Sequence, residues 1–331
     1  MEPSRDAGMY RLDENWPKYP PGMQFEMGSG VTVDDEGVIY LFTRDIEHWS
    51  AHPLAMGAKM GKSSVSMFDR AGNYLGKWGP SDERGFALTA NTIYFIDGAL
   101  WTVDREAHII KKYDKVGNLL LTLGTFAQWG DGPKYFNGPS GVTVLRDGRI
   151  VVADGYWNSR LIWFSPEGEY IKEIGGWGTQ PGQFIAPHAV AALPDGRLLV
   201  GESTGGALHS YVTQEGQIAE HRKQNDPNRK GRIQVFDSEG KFLEQWTHIK
   251  PLSIAVYGDR IYASDQQHDL VVLDASTFEE LERHENLALF IHQMAMDGHG
   301  DFYTATVYPE LRGALRGPAG PSHRHWIRTD A

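Results

Sequence analysis

Along most of the chain apolar and polar residues alternate with a period of two, in short runs broken by glycine-containing turns. That is the pattern of strands joined in hairpins. SGVTVDDEGVIYLFTRD at Ser29–Asp45 reads as strand, turn, strand, and the unit recurs at Pro139–Tyr156, Pro187–Ser203, Pro251–Asp265 and His292–Thr306, with a looser copy at Ala90–Asp104. A second hairpin follows most copies: SVSMFDRAGNYLGKWG, IIKKYDKVGNLLLTLG, RLIWFSPEGEYIKEIG and RIQVFDSEGKFLEQW, with LVVLDASTFEELE as a version without the glycine.

Four short antiparallel strands repeated six times predict an all-β, six-bladed β-propeller, formed by residues 1–331 as one domain. The sixth copy lacks an obvious second hairpin. Its outer strand is expected from the tail His325–Arg328 or from the segment around Trp16–Tyr19, which would close the ring.

In such a blade strand A lines the central channel, and the start of A, the end of B and the B–C loop share one face. Counting eight residues back from the turn glycine places Ser29, Ala90, Ser140, His188 and His292 at the strand A starts of blades one to four and six, with Leu252 the nearest equivalent in blade five. His188 and His292 therefore share a register two blades apart, and imidazole is a common ligand for divalent metals. Arg44 and Tyr156 end strand B on the same face. A guanidinium there suits a substrate carboxylate, and a phenol can act as a proton acceptor. Asp104, Asp154, Glu202 and Asp265 recur at strand B ends and read as braces between blades.

Composition narrows the chemistry. The formal net charge is −11, which gives no general pull toward nucleic acid or anionic lipid. Cysteine is absent, so thiol nucleophiles, disulfides and Cys-type zinc sites are excluded. No apolar run is long enough for a membrane helix, and the first residues lack a signal-peptide pattern, so a cytoplasmic protein acting on a small molecule is expected.

From about Trp16 to Tyr308 the chain resembles the NHL-repeat propellers, and more specifically the peptidyl-α-hydroxyglycine α-amidating lyase family. DGYWNSR, PGQFIAPH and GRIQVFDSEG carry the resemblance. It implies a lyase that binds Zn2+ through three histidines on alternate blades, with a tyrosine base and an arginine on the substrate carboxylate. Those roles fall on His188 and His292 for the metal, Tyr156 for the base and Arg44 for the carboxylate, while Phe290 stands at the family's methionine. The first histidine position falls on Ala90, or on Arg84 in a shifted alignment, and the aspartate of the family's structural calcium site is Gln293.

Two long loops, 45–64 and 204–230, are expected on the site face. They bring His48, His52, His209 and His221 within range as replacement ligands or lid residues, with His52 the first choice to reach the substrate. The sequence thus predicts a metal-assisted lyase for a small hydroxy- and carboxylate-bearing substrate. A metal-independent hydrolase or isomerase and a non-catalytic binding propeller are the alternatives.

Overall fold

The computed structural model describes residues 6–7, 9–23, 27–44, 64–79, 90–202, 210–212, 218–220, 231–247, 249–265, 270–284, 291–306 and 322–329. Every regular element among them is a strand, and six antiparallel sheets form a six-bladed β-propeller. The innermost strands are Met27–Val33, Ala90–Ile96, Gly141–Val144, Pro187–Ala192, Pro251–Tyr257 and Ile291–Met296. Each packs against the next and the sixth against the first, which closes the ring.

The apolar residues form six clusters, each lying between two adjacent blades. Phe42, Val65 and Trp78 of blade one meet Ile93, Leu100 and Tyr113 of blade two. Leu199, Ile233 and Val235 of blade four meet Ile261, Ala263 and Val271 of blade five. A second strand such as Ile150–Asp154 is covered on both faces and is buried throughout, so it reads as an unbroken apolar run rather than an alternation. The outermost strands, such as Tyr170–Gly175, keep one face in water and alternate.

Blade six shows how the ring is locked. Its third strand is the tail, His323–Arg328, which pairs with Phe302–Thr306 on one side and with Tyr10–Leu12 on the other. The fourth strand therefore comes from Tyr10–Leu12, with Asp6–Ala7 added outside it, and not from Trp16–Tyr19 as one sequence option has it. Trp16 instead plugs the interface between blades six and one, 5.1 Å from the Tyr303 ring and 6.1 Å from that of Phe68. Joining the two chain ends in one sheet ties the first and last repeats together, so neither edge of the ring is left unpaired.

At the ring's centre Gln293 joins three blades. Its Oε1 accepts from the amides of Val31 at 3.2 Å and Ile93 at 3.0 Å, and its Nε2 donates to the Ile93 carbonyl at 2.6 Å. Gly30 has to be glycine, because a Cβ there would lie 2.7 Å from Gln293 Oε1 and 3.0 Å from Ile93 N. Two N–H groups aimed at a neutral amide oxygen do not fit a calcium ion, which takes oxygen ligands.

Candidate functional site at the channel mouth

The site begins with an irregularity shared by the innermost strands. In blade four the pairing with the second strand jumps from Pro187 to Ala189, which places His188 in a bulge. In blade six it jumps from Ile291 to Gln293, past His292. Blade one skips Ser29 in the same way. A bulged residue leaves the in–out alternation of the strand, so its side chain can be re-aimed.

In blade two the skipped residue is Asn91, between Ala90 paired with Asp104 and Thr92 paired with Val103. The eight-residue count that picks Ala90 is therefore one residue off. Blades one, three, four and six join their first two strands through residues 34–38, 145–149, 193–197 and 297–301. Blade two uses only Asp97 and Gly98, both with positive φ (50° and 73°), between paired Ile96 and Ala99. That tight turn is a two-residue hairpin with both central residues left-handed.

The bulged side chains of blades two, four and six each reach the matching carbonyl of the next blade. Asn91 Nδ2 donates to Ser140 O at 3.1 Å, His188 Nδ1 to Leu252 O at 2.7 Å, and His292 Nδ1 to Ser29 O at 2.6 Å. A carbonyl can only accept, so Nδ1 of each histidine carries the hydrogen and Nε2 holds a lone pair in the neutral ring. The rings of His188 and His292 stand edge to face, 5.1 Å apart, and both residues are buried. This is the outer bonding that orients imidazoles as metal ligands.

Tyr156 closes over this pair from blade three. Gly155 permits the approach, since a Cβ there would sit 1.7 Å from Pro187 O. The Tyr156 amide donates to Gly138 O at 3.1 Å. Its hydroxyl lies 3.0 Å from His188 Nε2 and 3.3 Å from Asn91 Oδ1. The Arg105 guanidinium stands over the phenol ring at 5.0 Å from its centre and is paired with Glu106. Arg105 was not singled out from the sequence. It follows the second strand of blade two as Arg44 ends that of blade one: Asp104 pairs with Ala90 as Thr43 pairs with Gly28. The repeat register was the signal that could have found it.

The acids at the strand B ends include braces. Asp154 is fully buried and accepts from Asn137 N at 2.8 Å, Asn158 Nδ2 at 2.6 Å and Arg160 Nε at 3.0 Å. Burial pushes its carboxyl upward, against the pull of Arg160 and Asn158. Glu202 takes the Ile185 amide at 2.7 Å and pairs with Arg232. Both hold the connection arriving from the preceding blade.

Arg44 ends the strand Ile39–Arg44, opposite Met27; its side chain lies outside the described residues. Phe290, His52, His48, His209, His221 and Arg84 also lie outside them. Within the insertion at 204–230, Ser210–Val212 and Ile218–Glu220 form a two-stranded ribbon. Among the described residues no group of three His, Cys, Asp or Glu converges. Two imidazoles with oriented Nε2 atoms nevertheless fit a divalent ion as part of its ligand set.

These features define a six-bladed β-propeller with a polar ring at one channel mouth. The NHL repeat model matches residues 136–164, the segment that carries Tyr156. The Drosophila melanogaster peptidyl-alpha-hydroxyglycine alpha-amidating lyase 2 is 26% identical over 49% of this chain and 41% of its own length. Peptidyl-glycine alpha-amidating monooxygenase A of Xenopus laevis is 26% identical over 71% of this chain and 24% of its own. The Caenorhabditis elegans probable lyase pgal-1 is 25% identical, with 46% of its length matched. The chain thus spans between about a quarter and a half of the length of these curated relatives. The likeness is lyase-like and at low identity. Among solved structures, a streptogramin B lyase superposes with a TM-score of 0.52 over 96% of this chain and 97% of its own at 14% identity, which is a likeness of fold.

Proposed function

We propose that the protein is a lyase for a small α-hydroxy acid whose α-carbon bears a nitrogen leaving group, of the N-acyl-α-hydroxyglycine type. The observation that carries this reading is the meeting of Tyr156 Oη and His188 Nε2 at 3.0 Å, with the His292 ring 5.1 Å from that of His188. A substrate hydroxyl placed beside the Tyr156 oxygen gives up its proton there, the tyrosine acting as general base. The O–H electron pair becomes the new carbonyl, the C–N bond breaks, and the leaving nitrogen takes a proton. The products are an amide and glyoxylate.

His188 and His292 would hold a divalent ion such as Zn2+. When bound, that ion supplies positive charge for the oxygen that loses its proton. Arg105 sits beside the phenol and gives the mouth a cationic group for a carboxylate, the role that the sequence reading also assigns to Arg44. The Leu252 and Ser29 carbonyls keep both imidazoles in one tautomer and one orientation.

A metal-independent hydrolase or isomerase in the same pocket is the second reading, favoured by the absence of a third imidazole among the described residues. The test offers the purified protein N-benzoyl-α-hydroxyglycine and follows glyoxylate, with elemental analysis of the wild type and His188→Ala. Glyoxylate release together with zinc that is lost in His188→Ala supports the lyase. No glyoxylate, and equal near-zero metal in both proteins, removes it.

A further inference from the structure

We infer that the seam between blades five and six holds a binding site for a small oxyanion, a carboxylate or an inorganic oxoanion, centred on the Arg324 guanidinium. The inference does not depend on the lyase reading. Arg324 lies on the strand His323–Arg328, directly opposite Thr304, which in turn pairs with Met294. Residues opposite one another on neighbouring strands share a face. Met294 belongs to the apolar cluster with Tyr262, Leu270 and Val272 of blade five. The arginine therefore points into the seam.

There it is 7% exposed, and its Nε and Nη1 atoms are fully buried with no hydrogen-bond partner. Burial alone acts on the guanidinium, lowering it to about 10, so it stays charged at neutral pH. The facing blade does bring a carboxylate to the same seam, since Glu282 pairs with Val272. That carboxylate is already engaged by Arg260 at 2.5 Å and His284 at 3.1 Å. Arginine is almost never buried so deeply without a partner, because taking a charge out of water is costly unless an opposite charge meets it.

The repeat shows where that charge ordinarily comes from. Arg160 in blade three and Arg232 in blade four begin the third strand, each paired with an acid that ends the second, Asp154 and Glu202. Those acids stand six residues beyond the turn glycines Gly148 and Gly196, and six beyond Gly300 stands Thr306. Blade six thus has no acid at that position. Ser322, whose carbonyl takes the Thr306 amide, is level with the start of the third strand. Arg324 is two residues further on, so it faces the way Arg160 and Arg232 face.

A guanidinium holds the oxygens of a carboxylate, phosphate or sulfate through paired N–H groups. The slight exposure of Arg324 admits a small ligand and excludes a bulky one. Because Arg324 sits on the tail strand that closes the ring, a bound anion would strengthen that closure.

The experiment follows thermal unfolding of the full chain in formate, acetate, sulfate and phosphate, each against chloride at equal ionic strength and pH. Wild type, Arg324→Met and Arg105→Met are compared, the last removing a cation at the channel mouth. Removing a buried charge that lacks a partner also removes its desolvation cost. Arg324→Met should therefore match or exceed the wild type in chloride. In at least one oxyanion the wild type and Arg105→Met should gain about 2 °C or more over chloride, while Arg324→Met stays unmoved. A response to formate and acetate identifies a carboxylate ligand, and one to sulfate and phosphate an inorganic ligand.

If no oxyanion raises the wild-type Tm above its value in chloride, or if Arg324→Met gains as much as the wild type, the inference is overturned. Should Arg324→Met fail to fold, calorimetric titration of Arg105→Met with the same four anions decides. One saturable site supports the inference, and no saturable heat with any of them overturns it.

Discussion

Tyr156 and His188 come from different blades, yet the phenol hydroxyl and the imidazole Nε2 lie 3.0 Å apart with their rings edge to face at 74°. The contact links the end of one blade's second strand to the bulge of the next blade's first. Gly155 makes it possible by letting the chain pass close to Pro187 O. A larger residue there would push the phenol away from the ring of bulged side chains.

Tyr156→Phe keeps the ring packing and removes only the hydroxyl. Turnover of an N-acyl-α-hydroxyglycine is expected to fall by roughly 10²–10⁴-fold, the usual contribution of a general base. The melting temperature should move little, because Phe retains the contacts with Trp157 and Arg105. A variant with wild-type kcat would leave Tyr156 a packing residue.

Gln293→Ala removes the group that joins blades six, one and two. The amides of Val31 and Ile93 and the Ile93 carbonyl would lose their partner in a buried place. Such losses cost about 1–3 kcal/mol per stranded group, so a destabilisation of roughly 3 kcal/mol or more in urea unfolding is expected. Gln293→Glu should also destabilise, because a carboxylate cannot donate to the Ile93 carbonyl. A change in stability below about 1 kcal/mol for the alanine variant would show that water serves these groups as well.

Two buried histidines set the acid limit. Burial lowers His108 to about 4, with Glu106 opposing and Arg105 assisting. Burial also lowers His323 to about 4, against its bond to the Gly30 carbonyl. His108 Nδ1 accepts from Gly138 N at 3.2 Å, so a proton there would face an N–H. Both pKa values lie below the unfolded value of about 6.5. The stabilisation is therefore complete above pH 6.5 and is lost as the pH falls toward 4, by about 3 kcal/mol for each group. Unfolding free energies measured at pH 7, 6, 5 and 4 should show this decline, and a flat profile over that range contradicts it.

Replacing 204–230 with a four-residue turn should leave the propeller folded. The strands that flank the insertion remain paired through Glu202 and Arg232, and Arg232 also holds the Thr179 and Gln183 carbonyls. If the insertion covers the mouth, the shortened protein should show a higher KM or accept larger acyl groups. Identical kinetics on every substrate tried would make the segment a passive connection.

The repeat was legible because each blade needs the same hairpins and turn glycines, and that need is local. His188 and His292 were found by counting, since blades four and six share the longer connections 193–197 and 297–301. Asn91 was missed because Asp97-Gly98 shortens the hairpin and shifts the count by one. Arg105 was missed although it stands as far beyond Gly98 as Arg44 stands beyond Gly37, a register that the sequence alone carries. The closing strand Tyr10–Leu12 has no partner hairpin of its own in the sequence, so nothing nearby announced it.

The sequence by itself determined the number of blades and the placing of two histidines in one register. These follow from alternation and turn chemistry, which act over a few residues. Only the tertiary structure decided which groups meet. His292 bonds to the carbonyl of Ser29 across 263 positions of sequence, and Gln293 reaches Val31 across 262. Such contacts exist because the sixth blade closes on the first, and that closure sets the distance between side chains that no local pattern can fix.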